Sequence, residues 1–305
     1  MTIKNALAKG KSMLIKSSPT PLLDSEILLG YLLKKPKEYL YAYTKQSLSR
    51  NISNQYFKLI KNRGNHVPIA YLVKHQEFFG NHFYINKNVL IPSPDSEVLV
   101  QESLETWENL EKKYPPGEVI RIWDIGTGSG CLIISLLLAK WTAKKTENQD
   151  RKGLSKTRML ASDISEKALT VAKFNAKKLL SEKLFKLITI KKHNIFSDKP
   201  PTKSKFQIIL SNPPYLPDQL IPKLQKEVGF YEPRIALDGH SDGLAFYLRI
   251  KEVIIRDLHP KGFALLELNS ELAEDIANIF EAFDSEIFYD LENRPRAIKI
   301  ALNYS

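Results

Sequence analysis

The chain is poor in cysteine, methionine and glycine, and it has no long apolar run. It holds one cysteine in 305 residues, Cys131, so no intrachain disulfide can form and a Cys-rich zinc site is excluded. Its six histidines (66, 75, 82, 193, 240 and 259) show no metal-ligand spacing, and no metal is expected. The longest apolar runs, such as 132–139, fall far short of the roughly 20 residues that span a bilayer, so no membrane partner is expected. Residues 1–20 have lysines but no arginine, no apolar segment and no small-residue cleavage site. They read as a first helix, not as a secretory or transit signal. A cytoplasmic setting is expected, with the mitochondrial matrix as the second choice.

One resource is abundant. Lys plus Arg is 45 against 34 Asp plus Glu, a net charge of +11. Such an excess suits a polyanionic neighbourhood, nucleic acid or the ribosome. It equally suits a Lys-rich proteome that uses lysine for solubility. Hydrophobic residues at 43% leave ample material for a core.

Two halves differ in pattern. Residues 1–74 read as a helical domain. Thr20-Pro21 supplies a cap and a proline at the first helical position, followed by the stripe Leu23, Ile27, Leu28, Tyr31, Leu32. Ser49 is a candidate cap for a helix with Ile52, Tyr56, Leu59 and Ile60 inward, and Pro68 opens a last turn. Residues 75–92 read as a β-hairpin linker turning at Gly80-Asn81. In residues 93–305, strands at 119–124, 159–163, 186–191, 206–210 and 262–268 alternate with helices at 131–140, 166–180, 242–258 and 271–283. Two close strands follow at 286–290 and 297–302. The alternation predicts an α/β fold with a mostly parallel sheet, and the helix-free final pair predicts one antiparallel strand. Residues 141–158, with six basic and two acidic residues, read as an exposed loop insertion.

Three constellations carry chemistry. Asp124-Ile125-Gly126-Thr127-Gly128-Ser129-Gly130 follows a strand and opens a helix. Glycines there let the backbone turn tightly and approach a ligand. The spacing is not that of the dinucleotide fingerprint, and an acid at the strand tip would repel pyrophosphate while suiting a cationic ligand such as S-adenosylmethionine. A structural strand–helix turn is the plain alternative. Asp163, at the tip of the next strand, is placed to accept from ribose hydroxyls. Its alternative is a cap for the helix near Ser165. Ser211-Asn212-Pro213-Pro214-Tyr215 follows a further strand. Two prolines remove two donors and stiffen the loop. Outward carbonyls, the Asn212 side chain and the flat Tyr215 face fit a planar –NH2 group, whose orientation lowers the barrier to methyl transfer. The alternative is a Pro-rich exposed loop.

Asn-Pro-Pro-Tyr after such a sheet resembles the amino-methyltransferases of the class I S-adenosylmethionine fold. Within these the chain resembles the HemK/PrmC family, glutamine N5-methyltransferases of peptide chain release factors. The flanking segments make the resemblance specific: 21–29, 68–72, 77–80, 231–239 and 242–244 are similar to the family, and the resemblance covers almost the whole chain. The resemblance implies a Rossmann-like, seven-stranded, mostly parallel sheet preceded by a small helical bundle. It implies methyl transfer from S-adenosylmethionine, with S-adenosylhomocysteine as product, to the Gln of a Gly-Gly-Gln loop in a class I release factor. The cofactor site would comprise Asp124, Gly126, Thr127, Gly128, Ser129, Gly130, Asp163, Asn194, Ile195 and Asn212. The catalytic slot would comprise Asn212, Pro213, Pro214 and Tyr215. The family usually has an acid at 194, Arg at 93 and Thr at 96, where this chain has Asn, Ser and Ser.

A helical docking domain, a monomeric state and no direct nucleic-acid substrate go with this reading. The competing readings are an N6-adenine nucleic-acid methyltransferase, a ribosomal-protein glutamine methyltransferase and a non-catalytic cofactor-binding protein. No target-recognition domain supports the first. Cys131 is read as a small buried residue, and Glu267, ending a strand, as a hydrogen-bonding residue of the sheet.

Overall fold

The computed structural model describes residues 1–113, 118–146 and 156–303. The chain forms two compact units that do not follow chain order. One comprises 1–75, 85–87 and 224–232, and the other 76–84, 88–223 and 233–305.

The helical unit is built from α1 (Ile3–Leu14), α2 (Pro21–Leu33), α3 (Lys37–Ala42), α4 (Arg50–Gly64) and α5 (Ile69–Val73). Ile3, Leu14, Leu28, Leu29, Leu40, Tyr56 and Ile60 form its fully buried core. Ser49 caps α4 by accepting from the Ile52 N–H, as its sequence position predicts. Thr20 precedes Pro21 at the start of α2 but makes no capping bond. Its hydroxyl donates instead to Asp24, a buried carboxylate that Arg63 holds at 2.6 Å. Arg63 also reaches Glu227 at 2.7 Å, in α10 (Lys226–Tyr231), and the Tyr231 hydroxyl donates to the Asn65 carbonyl at 2.7 Å. A short segment from the second half of the chain thus completes the helical unit.

The second unit opens with strands β1 (His75–Phe78) and β2 (Asn81–Tyr84). The hairpin turns one residue earlier than Gly80-Asn81. Phe79 and Gly80 take φ of 50° and 69°, the two left-handed centres of a tight hairpin turn. Asn81 then stabilises the turn by donating to the Phe79 carbonyl. Asn175 ties the hairpin down, exchanging hydrogen bonds with the Tyr84 backbone and donating to the Ser129 carbonyl.

The main sheet has seven strands: β3 (Ile120–Ile125), β4 (Thr157–Asp163), β5 (Ile188–Lys192), β6 (Phe206–Ser211), β7 (Leu258–Glu267), β8 (Asp284–Tyr289) and β9 (Pro295–Ala301). Their order is β5-β4-β3-β6-β7-β9-β8. All pairs are parallel except those made by β9, which runs against both β7 and β8. The expected antiparallel strand is therefore β9. The burial of all six residues of β6 shows why this strand reads as an unbroken apolar run: helices cover both faces of a parallel sheet.

Helices α6 (Glu97–Lys113), α7 (Cys131–Thr146), α8 (Glu166–Leu179), α9 (Glu182–Phe185), α11 (Ala245–Asp257) and α12 (Ala273–Ile279) complete the unit. The sequence reading assigns nothing to α6, although Leu99, Val100, Trp107 and Leu110 form its buried stripe. The insertion read as a loop from 141 begins later than that, because α7 continues to Thr146. The helix has apolar residues Trp141 and Ala143 to extend it. The rest of the insertion, 147–155, lies outside the described residues, and Thr157 and Arg158 already belong to β4.

Candidate active site

The chain leaves β3 to build β4 and β5 outward, then returns to lay β6 on the other side of β3. Ligands of open α/β sheets bind at such a reversal, beyond the carboxyl ends of the strands. Ile125 and Ser211 are register partners there, and the Ser211 hydroxyl donates to the Ile125 carbonyl at 2.9 Å. The glycine loop and the Asn-Pro-Pro-Tyr loop therefore start side by side. Between them lies a cavity of about 400 Å³, within the range for a small-molecule site.

The glycine loop forms one wall. Gly126 and Gly128 adopt φ of 71° and 54°, which side chains resist, and added β-carbons would meet little. Their side-chain-free faces leave the backbone open to a ligand. The Thr127 N–H donates to the Ser162 carbonyl of β4, and the Gly128 N–H donates to Asp163 Oδ2 at 3.0 Å. Asp163 Oδ1 accepts from the Ser165 N–H at 2.8 Å, while the Ser165 side chain caps α8. Asp163 thus braces two loops and lines the cavity with lone pairs to spare. Burial raises its pKa against the pull of these backbone donors.

Asp124 lies under the loop, fully buried, and does not line the cavity. It accepts from the Thr127 hydroxyl at 2.6 Å, and its Oδ1 has no hydrogen-bond partner among the described residues. Burial pushes this carboxyl up to about 7. Thr127 and Ser129 line the cavity, whereas Gly130 packs behind it, where a β-carbon would meet Ile134 at 2.9 Å. Burial raises the Cys131 thiol to about 12, so it is no nucleophile at neutral pH.

Asn194, Ile195 and Phe196 form the far wall. Asn194 Oδ1 already accepts from the Phe196 N–H at 3.0 Å, and the Asn194 N–H donates to Asp198. Beside them stand Phe246 and His240, stacked with rings 6° from parallel, and Phe196 meets both edge-on. Together with Ile195 they make a flat apolar slot suited to a planar heterocycle. His240 and Phe246 carry no motif and gave the sequence reading no signal.

Asn212, Pro213 and Pro214 line the near wall, and Tyr215 packs behind them against a buried apolar cluster that includes Ile209, Tyr247, Ile250 and Leu266. The loop is supported from beneath by 237–240. The Leu216 N–H donates to the Leu237 carbonyl, Gly239 donates to Leu216, and Asp218 donates to His240. The side chain of Asn212 donates through Nδ2 to the Ser96 hydroxyl at 3.2 Å, and Ser96 donates to Glu267. Sequence reasoning did not join these three, which lie 116 and 171 residues apart along the chain. Ser93 lies at the cavity edge, where its hydroxyl accepts from the Asp95 N–H. Among the described residues no group of side chains could hold a metal ion.

A methionine-type tail against the open backbone of Gly126–Gly128, a ribose at Asp163 and an adenine in the aromatic slot match the chemistry of these walls. The site's residues therefore fit S-adenosylmethionine.

The sequence is similar to those of known proteins. The PrmC N-terminal domain family matches residues 5–73. The chain is 38% identical to a release factor glutamine methyltransferase of Clostridium acetobutylicum, over 96% of this chain and 94% of that protein. It is 30% identical to a protein of the same name from Clostridium botulinum, over 98% and 99%. It is 33% identical to a bifunctional methyltransferase of Rickettsia felis, over 97% of this chain but 57% of that longer protein. By identity over nearly full length, the chain belongs to the release factor glutamine methyltransferase family.

Proposed function

We propose that this protein methylates the side-chain amide nitrogen of the glutamine in the Gly-Gly-Gln loop of a class I peptide chain release factor. S-adenosylmethionine supplies the electrophilic methyl group. The observation that carries the reading is the Asn212 side chain, held at the mouth of the cavity with its NH2 spent on Ser96. Its Oδ1 is then the atom left to accept from a ligand. The Pro213 carbonyl is the second acceptor, since proline offers no competing N–H. Two acceptors match the two N–H bonds of a primary amide and hold its nitrogen in line with the methyl carbon.

An amide nitrogen is a poor nucleophile because its lone pair is delocalised. Drawing both its protons toward oxygen puts electron density back on nitrogen, and the surplus proton leaves to water as the new bond forms. Asp163 and the aromatic slot of Phe196, His240 and Phe246 hold the distal end of the cofactor. The glycine loop fixes its amino-acid end. A release factor as substrate places the work in the bacterial cytoplasm.

Labelled S-adenosylmethionine with folded release factor, free Gly-Gly-Gln peptide, ribosomal protein or DNA tests this. Labelling of the release factor, weaker labelling of the peptide and none of DNA is expected. Preferential labelling of DNA adenine would assign the slot to nucleic acid instead.

A further inference from the structure

Glu267 is a buried acid at the end of β7, 4% exposed, with no part in the reading above. Its side chain accepts from the Ser96 hydroxyl. Ser96, itself 3% exposed, accepts from Asn212 Nδ2 at 3.2 Å. Three side chains from three distant parts of the sequence make one line from the sheet to the cavity. The backbone around them is firm. The Tyr247 hydroxyl from α11 anchors the Glu267 carbonyl at 2.9 Å, and Ser96 sits in a short 3-10 turn that opens α6.

A serine hydroxyl has one proton to give. When Glu267 is ionised it can only accept, so the Ser96 proton must point to it. Ser96 then offers only lone pairs to Asn212, and Asn212 must turn its NH2 inward. We infer that Glu267 is a positioning residue for methyl transfer: through Ser96 it fixes which end of the Asn212 amide faces the cavity. This deepens the proposed function and rests on it, because the outward Oδ1 is the acceptor that a primary amide substrate requires.

The same logic gives the arrangement a polarity that can be reversed. Protonated Glu267 can donate to Ser96, which frees the Ser96 proton to point at Asn212. The asparagine then meets it with Oδ1 and turns NH2 toward the cavity. A donor would face the donors of the substrate amide, and the productive geometry is lost. Burial is the main cause raising the Glu267 carboxyl, to about 7. The charged groups around it partly cancel. Asp95 raises the value, Arg296 on β9 lowers it, and the Ser96 hydroxyl, with the Asn212 amide close behind it, favours the ionised form. Tyr247 and Cys131, also packed near, have their own titrations pushed up by burial and stay neutral in this range. Turnover therefore falls as pH drops through the range near 7.

Two measurements test the arrangement, one of them without substrate. In protein labelled with [15N]asparagine, the side-chain NH2 resonance of Asn212 is identified by its loss in Asn212→Ala. It should titrate with a midpoint near pH 7 in the wild type and not in Glu267→Gln. In the second, kcat for the folded release factor should fall about tenfold per pH unit below the midpoint in the wild type. Glu267→Gln should flatten that profile, because a glutamine amide does not titrate in this range. Ser96→Ala should lower kcat by about 10²-fold, with the affinity for S-adenosylhomocysteine unchanged by calorimetry. A pH-independent Asn212 resonance, or the same profile in Glu267→Gln, overturns the inference. A titrating resonance with no methylation of release factor leaves the relay standing and removes the proposed substrate. If Glu267→Gln does not fold, Ser96→Ala carries the test alone.

Discussion

A β-carbon on Gly243 would lie 2.4 Å from the carbonyl oxygen of Tyr215. Gly243 also has φ of 80°, and a β-carbon on the neighbouring Gly239 would lie 2.9 Å from the Tyr215 backbone. Bare backbone therefore supports the Asn-Pro-Pro-Tyr loop from beneath. Gly243→Ala adds the clash to left-handed strain of about 1–2 kcal/mol. It should lower both thermal stability and kcat, with little change in cofactor affinity. Thermal melts and turnover measured together check this, and normal kcat in the folded variant would show that the loop does not depend on Gly243.

Asp163 is expected to serve the ribose and the glycine loop at once. Asp163→Ala removes a charge-assisted acceptor, worth about 1.5–3 kcal/mol. S-adenosylhomocysteine affinity by calorimetry should drop accordingly. Asp163→Asn should lose less, since its one side-chain oxygen can still accept from either the Gly128 or the Ser165 N–H. Unchanged affinity in folded Asp163→Ala would remove the ribose assignment.

Asp124 predicts a pH dependence of stability. Its carboxyl is raised in the folded protein to about 7 from an unfolded value near 3.8. Between those values the folded state binds the extra proton, so its contribution is fully present below the lower value and is lost as pH rises through the upper one. The slope from one such group is about 1.4 kcal/mol per pH unit. Asp124→Asn keeps an acceptor for Thr127 and removes this loss. Its melting temperature should gain on the wild type as pH goes from 4 to 8, and a constant difference across that range would contradict the account.

In the helical unit Gly10 faces Tyr56. A β-carbon there would sit 2.1 Å from the tyrosine hydroxyl and 2.9 Å from Ser25 Oγ. Alanine normally stabilises a helix over glycine by about 1 kcal/mol. Here Tyr56 is fully buried and has nowhere to swing, so overpacking wins. Gly10→Ala should lower denaturant stability by about 1–3 kcal/mol. A gain would show that α1 can shift.

The readable parts of the site were those concentrated in short segments. Glycine spacing, an acid at a strand tip and a proline pair all report local backbone needs, and strand–helix alternation reported the parallel sheet. Residues joined by long-range packing left no such trace. Ser96 and Glu267 look ordinary until the sheet brings them together, and His240 gains its place only by stacking on Phe246. The hairpin turn slipped by one residue because Phe79, a bulky residue seldom left-handed, takes that conformation in a tight pair with Gly80. The Glu227–Arg63 pairing of 224–232 with the helical unit is likewise set by contacts across the chain, not by local pattern.

The central claim is a methyl group placed on one glutamine by the Asn212 slot. The direct measurement is mass spectrometry of the Gly-Gly-Gln peptide cut from folded release factor after incubation with the protein and S-adenosylmethionine. The account predicts a single methyl on that glutamine side chain, none when it is replaced by alanine, and a rate about 10²–10³-fold lower with Asn212→Ala. An unmodified glutamine, or equal methylation by wild type and Asn212→Ala, would contradict it.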